Sequence, residues 1–385
     1  MPAMTPPPLG LYVHLPWCVR KCPYCDFNSH TAPDHLPVND YLAALRTDLD
    51  GELARAGSRA IETVFIGGGT PSLFPPEAIS TLLGWLADRL TPDAEITLEA
   101  NPGTVEQGRF AAFRAAGVNR LSIGVQSFDA ERLEQLGRIH GPTEARKAID
   151  AAHDAGFSTF NVDLMFALPG QEPTGAERDI QEAIHLGAPH ISHYQLTIEP
   201  NTVFYARPPA LPDEDSAWAM QQRCSDRLRA AGFQRYEVSA WSRPGHPCRH
   251  NLNYWRFGDY LAIGAGGHAK LTDAATGAIE RYRKVKVPAL YMQRSRQGRP
   301  DAEHESVPET ERPIEFMMNA LRLDDGFELP AFEQRTGLAR SVIAWQLQRA
   351  LDEGLLEQIG ERVRTTAAGH NYLNTLLQRF LPGQP

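Results

Sequence analysis

A chain of 385 residues, 42% hydrophobic and 22% charged, has the size and balance of a large α/β unit plus an appendage. A net charge of −9 excludes the basic footprint of a nucleic-acid-binding protein, and no apolar run approaches the roughly 20 residues that span a bilayer. Five cysteines without a secretory signal argue against a disulfide framework and point to a reducing compartment, the cytoplasm.

Residues 1–8 are proline-rich, lack an apolar signal core and read as a short disordered lead-in. Residues 9–15 are a strand-like apolar run that leads directly to Cys18, Cys22 and Cys25 in a C-x3-C-x2-C spacing. Thiolates packed this closely on a loop can converge on one soft metal centre. Three ligands would leave one iron of a four-iron cluster open to a small molecule. Two other readings stand beside this one: a structural zinc completed by His14, His30 or Asp26, and thiols that hold no metal.

Residues 38–56 have helical spacing of apolar side chains. A β-branched run at 61–66 then ends in Gly67-Gly68-Gly69-Thr70-Pro71, and a helix is expected over 76–89. A strand at 95–99 leads through Asn101-Pro102 to a helix ending at Ala116; the next strand, 120–125, ends in Gln126. Two helical stretches precede a strand at 159–165, and a helix at 173–186 precedes one at 190–196. Strand and helix alternate about six times, which predicts a parallel sheet with crossover helices. In a parallel barrel the C-terminal strand ends form the active-site mouth. Gly67 to Thr70, Glu99, Gln126 and Asp163 would meet there, beside the cysteine loop.

A helix at 213–231 and the segment 233–241 extend or close one edge. Residues 269–308 read as a charged, irregular connecting region. From 311 onward, helices at 311–322, 329–336 and 340–353, strand-like pieces at 355–359 and 363–365, and a helix at 367–380 resemble a small winged-helix α+β fold. Its candidate recognition helix sets Arg340 and Arg349 against Asp352 and Glu353, too little positive charge to track phosphates, so a lid or docking surface is the better reading. The expected division is 1–8 lead-in, 9–268 barrel, 269–308 connection and 309–385 C-terminal domain.

Taken residue by residue, the glycine triplet lets backbone N–H groups approach a ligand, or simply makes a tight turn. Glu99 can accept hydrogen bonds from two neighbouring hydroxyls, or cap the next helix. Gln126, Arg138 and Asp163 lie near successive strand ends, where a rim residue needs no ligand. His250, beside Tyr254 and Trp255, reads by itself as a hydrogen-bonded core histidine or as a neutral imidazole ligand, with Cys248 a second candidate ligand and His268 a weaker one. Cys224 reads as a buried filler within a helix.

The cysteine spacing resembles the signature of the radical S-adenosylmethionine (SAM) superfamily. From about residue 9 to the C-terminus, through Tyr12-x-His14-x-Pro16, Gly67 to Pro71 and Ile123 to Phe128, the chain resembles the oxygen-independent coproporphyrinogen III oxidase-like family. That resemblance implies a radical SAM partial (β/α)6 barrel of TIM type. It implies a [4Fe-4S] cluster on Cys18, Cys22 and Cys25, with SAM chelated at the open iron. Gly68, Gly69 and Thr70 would receive the SAM amino group, and Tyr12, Glu99, Gln126, Arg138 and Asp163 would contact the rest of it.

The oxidase usually carries a further cysteine just after the third, whereas here Asp26 and Phe27 follow Cys25. His250-Asn251-Leu252-Asn253-Tyr254-Trp255 resembles instead the H-N-x-x-Y-W hallmark of the HemW-like heme chaperone family, and residues 317–323 fit that family's C-terminal domain. The resemblance implies heme as a further ligand, His250 at its site, and delivery to heme-requiring respiratory proteins that can lie at the membrane surface. A homodimer is among the assemblies it implies. Oxidative decarboxylation by a SAM radical is the alternative function, and a zinc-stapled interaction protein is a third.

Overall fold

The structure, a computed structural model, describes residues 4–103 and 108–383. Strands β1 (Leu9–Leu15), β2 (Ile61–Gly68), β3 (Leu90–Ala100), β4 (Arg120–Gln126), β5 (Phe160–Phe166) and β6 (His190–Gln195) lie side by side in chain order and pair parallel. Helices α1 (Val38–Ala56), α2 (Pro76–Gly84), α3 (Phe110–Ala115), α4 (Ala130–Gln135), α5 (Pro142–Asp154) and α6 (Pro173–His185) return the chain between them. Part of the helix expected to end at Ala116 falls on residues 104–107, which lie outside the described residues.

The strand residues alternate with period two. On β4, Leu121, Ile123 and Val125 are fully buried, and β5 does the same with Val162 and Leu164. The intervening residues are polar or small: Arg120, Ser122, Gly124 and Gln126 on β4, Asn161 and Asp163 on β5. A parallel sheet covered on both faces normally has no use for a polar face. Here that face surrounds a cleft.

The sheet is wider than the sequence reading expected. After β7 (Gln234–Glu237) and β8 (Ala240–Ser242), which extend one edge antiparallel, β9 (Asp259–Ile263) adds to the other edge, parallel to β1. Residues 269–308 are not irregular. They supply most of β10 (His268–Asp273), then β11 (Ala278–Lys284) and β12 (Asp301–Ser306), which continue the sheet antiparallel to twelve strands among the described residues.

Burial explains the misreading, because β10 and β11 carry charges that are paired inside the fold. Lys284, 1% exposed, lies 2.8 Å from Asp48 and from Glu52 on α1, and 2.7 Å from Asp301. Burial alone would lower its pKa, but the three carboxylates hold it above the usual lysine range. Lys270 is likewise buried against Asp259 at 3.0 Å, and Arg59 takes the other carboxylate oxygen at 2.8 Å.

Further helices are α7 (Glu214–Ala230), α8 (Arg249–Trp255) and α9 (Pro288–Ser295). The C-terminal region combines α10 (Arg312–Ala320), α11 (Leu329–Thr336) and α12 (Ala344–Asp352) with a small antiparallel sheet in the order β13 (Phe327–Glu328), β15 (Arg362–Thr365), β14 (Leu356–Ile359). Its core, with Phe316, Met317, Phe332, Leu347 and Val363, joins the larger unit through Phe257 and Ile279. The single helix expected over 367–380 is broken at Tyr372, which leaves helical geometry at φ −108° and ψ 33°, and its last turn, Gln378–Phe380, is a tighter 3-10 turn.

Candidate functional site

The cysteine loop leaves β1 and is stitched to the glycine turn at the end of β2. Gly69 N donates to Leu15 O at 2.9 Å and Thr70 N to Trp17 O at 2.8 Å. A Cβ on Gly69 would lie 2.5 Å from the Trp17 carbonyl oxygen, and one on Gly68, at φ +118°, would meet the His14 ring at 2.7 Å. The two glycines are therefore required by close approach within the protein itself. Cys25 N donates to Cys22 O at 3.1 Å, turning the loop so that all three thiols face one cleft of about 470 Å³.

Gly68, Gly69, Thr70, Glu99, Gln126, Arg138 and Asp163 line the same cleft. Glu99 accepts the Gly68 N–H at 3.0 Å; burial, and then the nearby Asp163 carboxylate, push its pKa up to about 7. Burial also raises Asp163, although Asn161 Nδ2 at 2.8 Å and Ser122 Oγ at 3.2 Å donate to it. Arg138 donates to Gly124 O at 2.7 Å and to Asn101 Oδ1, and its Nη1 lies 3.5 Å from Cys22 Sγ. Gln126, at φ +70°, is a rare left-handed non-glycine residue, and its Oε1 accepts from Tyr194 at 2.8 Å. Three buried atoms among the lining residues have no partner among the described residues: Thr97 Oγ1, Arg120 Nη2 and Arg138 Nε. Orphaned polar atoms at a cleft are what a polar ligand satisfies.

Two expected residues lie outside the lining. Tyr12 donates to His14 Nδ1 at 3.0 Å, and the His14 Nε2–H donates to Asn28 O at 2.9 Å. His250 is only 1% exposed; its Nδ1 pairs with Thr63 Oγ1 at 2.8 Å and its Nε2 with the Tyr254 hydroxyl at 2.9 Å. Burial lowers its pKa to about 3, and its ring stacks on Phe65 at 5.3 Å. Both ring nitrogens of His250 are thus engaged within the protein.

Cys248 lines the cleft but is a thiol pushed up to about 12 by burial and by the neighbouring Glu95. Its Sγ lies 3.6 Å from Glu95 Oε1, so it is a poor axial ligand. His268 opens β10 and lies outside the cleft lining. Cys224 is fully buried on α7, as a filler should be.

Several lining residues escaped the sequence reading, among them Asn101, Ser122, Asn161, Ser192 and Tyr194. The usable signal was polarity at every second position of a strand whose other positions are apolar. Among the described residues, no three His, Cys, Asp or Glu gather tightly enough to hold one metal ion. The three cysteines share a cleft without converging on a point. That arrangement suits a polynuclear cluster, whose ligands sit on different irons, better than a single zinc.

The radical SAM superfamily pattern matches residues 12–183, and the HemN C-terminal domain pattern matches residues 307–370. A curated heme chaperone HemW of Escherichia coli is 50% identical over 377 residues, covering 97% of this chain and 98% of that protein. The chain belongs to the HemW heme chaperone family. The Haemophilus influenzae member is 46% identical, with 97% of this chain and 98% of that protein covered; the Bacillus subtilis member is 31% identical over 96% and 98%. In structure the chain is similar to the E. coli coproporphyrinogen III oxidase HemN, a radical SAM enzyme. Their TM-score is 0.82 at 22% identity, over 97% of this chain and 90% of that one, a likeness of fold. Membership of the radical SAM superfamily implies a [4Fe-4S] cluster and SAM. No helix among the described residues is long and apolar enough to cross a membrane.

Proposed function

We propose that this chain is a heme chaperone, which binds heme and passes it to heme-requiring respiratory proteins. The observation that carries the reading is the near full-length identity to curated HemW proteins. The absence of a fourth cysteine supports it, since the position after Asp26 is Phe27, 62% exposed at the cleft. The working location is the cytoplasm, with acceptors at the membrane surface and a homodimer as the assembly. Residues 9–268 act as the barrel and 309–385 as its C-terminal partner domain.

Cys18, Cys22 and Cys25 would hold a [4Fe-4S] cluster, and the cleft beside them would hold SAM. Bound there, the cluster's open iron supplies a Lewis-acid site for the SAM amino and carboxylate groups. The Gly68–Thr70 turn shapes the adjoining wall, and Glu99 and Asp163 offer carboxylate acceptors to hydroxyls. Arg138 places a fixed cation next to the Cys22 sulfur. Tyr12 acts at one remove, orienting His14 beneath the loop.

The test gives anaerobically reconstituted protein SAM, a reductant and coproporphyrinogen III, while hemin is titrated in parallel and followed by its Soret band. Hemin binding without porphyrin product is the expected outcome. Catalytic formation of protoporphyrinogen would overturn the chaperone reading in favour of the oxidase.

Glu99→Gln should weaken SAM binding by roughly 10–100-fold, the loss of a charged hydrogen-bond acceptor. The same substitution tests the electrostatics. A carboxyl raised to about 7 stabilises the fold fully below its unfolded value, and that contribution is lost as pH rises through 7. Ligand-free Glu99→Gln should therefore match the parent at pH near 4 and exceed it by about 1–3 kcal/mol at pH near 8 in chemical denaturation. Unchanged SAM affinity would remove Glu99 from the site.

A further inference from the structure

A second cleft, of about 510 Å³, lies where α8 meets the C-terminal region, and it shares no lining residue with the cleft at the cysteine loop. Helix α8 serves both. His250 and Tyr254 are bonded to each other on the barrel side, while Leu252, Trp255 and Arg256, spaced i, i+3 and i+4, line the second cleft.

The lining of this cleft is rich in arginine. Among its five arginines, Arg235 is paired with Asp324 at 2.9 Å and Arg362 with Glu328 at 2.8 Å. Arg243, Arg256 and Arg335 have no carboxylate partner among the described residues, and Asp325 is the one unpaired carboxylate of the lining. Three cations against one anion leave two positive charges uncompensated. Arg243 is half-buried, donating to Ala231 O at 3.3 Å and stacked on Phe233. Arg335 is half-buried within reach of the Asp259 and Glu62 charges, and Arg256 is exposed. Guanidinium groups gathered this way favour an anionic ligand. The wall between them is apolar and aromatic, formed by Trp255, Leu252 and Phe316. The Trp255 Nε1–H is buried with no acceptor among the described residues, a donor left over for a ligand oxygen.

We propose that this groove is the heme site: the planar tetrapyrrole lies against Trp255 and Leu252, and its two carboxylates take the unpaired guanidiniums of Arg256, Arg335 and Arg243. The inference rests on the heme-chaperone reading above. It places heme apart from SAM, so that both ligands occupy one chain together. The match is between two carboxylates on an apolar disc and two unspent charges beside an apolar wall.

The experiment titrates hemin, and hemin dimethyl ester, into the reconstituted full-length protein and follows Soret absorbance and quenching of tryptophan fluorescence. The parent chain is expected to bind hemin tightly and the uncharged diester about 10-fold or more weakly, since the ester keeps the disc and loses the carboxylates. The double variant Arg256→Glu/Arg335→Glu should bind hemin roughly 10–100-fold more weakly while keeping iron content and SAM binding. Arg256→Lys/Arg335→Lys should lie between the parent and the charge-reversed variant. Equal affinity for hemin and its diester would overturn the groove assignment, whatever the variants do. So would an unchanged affinity in a folded charge-reversed variant. A parent chain that binds no hemin at all would instead remove the chaperone reading on which the assignment stands.

Discussion

Cys18→Ser is expected to lower the iron of the anaerobically reconstituted protein from about four per chain to near zero. SAM binding should be lost with it. Only three cysteines line the cleft on the loop, so no spare thiolate is close enough to replace one; the other lining thiol, Cys248, is buried beside Glu95 and attached to a different element. A serine hydroxyl is too hard a ligand and too weak an acid to stand in for a thiolate on iron. Cys22→Ser and Cys25→Ser should behave alike, and Cys248→Ser should leave the iron content unchanged. Hemin affinity should survive all four substitutions, because the groove at Trp255 shares no residue with the cysteine loop. Iron and SAM retained by Cys18→Ser would refute a centre built on these three residues. One zinc per chain in the parent protein would do the same.

Lys284→Met should destabilise the fold by about 3–5 kcal/mol in chemical denaturation, with no direct effect on the cleft. Methionine fills a similar volume, so the loss comes from charge. Asp48 and Glu52 would be left in the interior without the ammonium that lies 2.8 Å from each. Tyr291 donates to Asp48 at 2.7 Å and Tyr282 to Glu52 at 2.6 Å, which softens the loss without cancelling it. Burial already pushes Asp48 up to about 6 in the presence of Lys284. Without the lysine it should titrate higher still, so the defect should be larger at pH near 8 than near 5, where the carboxyls can take protons. A loss that does not change with pH would mean that packing, not charge, dominates at this position.

Much of the site was legible without a fold. The C-x3-C-x2-C spacing is local, and so are the glycines at the end of β2 and the alternation of strand and helix. Each of these features depends on neighbours a few residues away. The polar residues at every second position of β4 and β5 were equally local, yet Ser122 and Asn161 went unread because a polar strand residue is ambiguous until its facing side is known. The segment 269–308 failed for a related reason. Lys284 and Lys270 look like solvated charges in sequence, and only the approach of α1 and β9 shows that they are paired in the interior.

His250 marks the boundary most clearly. Its motif identifies the family, but the motif carries no statement about which atoms occupy the imidazole nitrogens. One partner, Tyr254, lies four residues away on the same helix, and the other, Thr63, lies 187 residues away on β2. The unpaired arginines of the second cleft pose the same problem, since a guanidinium is spent or unspent according to carboxylates brought from distant parts of the chain. Local spacing determined the alternating strands and helices, the cysteine loop and the family. Tertiary packing alone decided which titratable groups are already satisfied and which remain open to a ligand, because hydrogen bonds and ion pairs are closed by proximity in space, which the fold creates and sequence separation does not record.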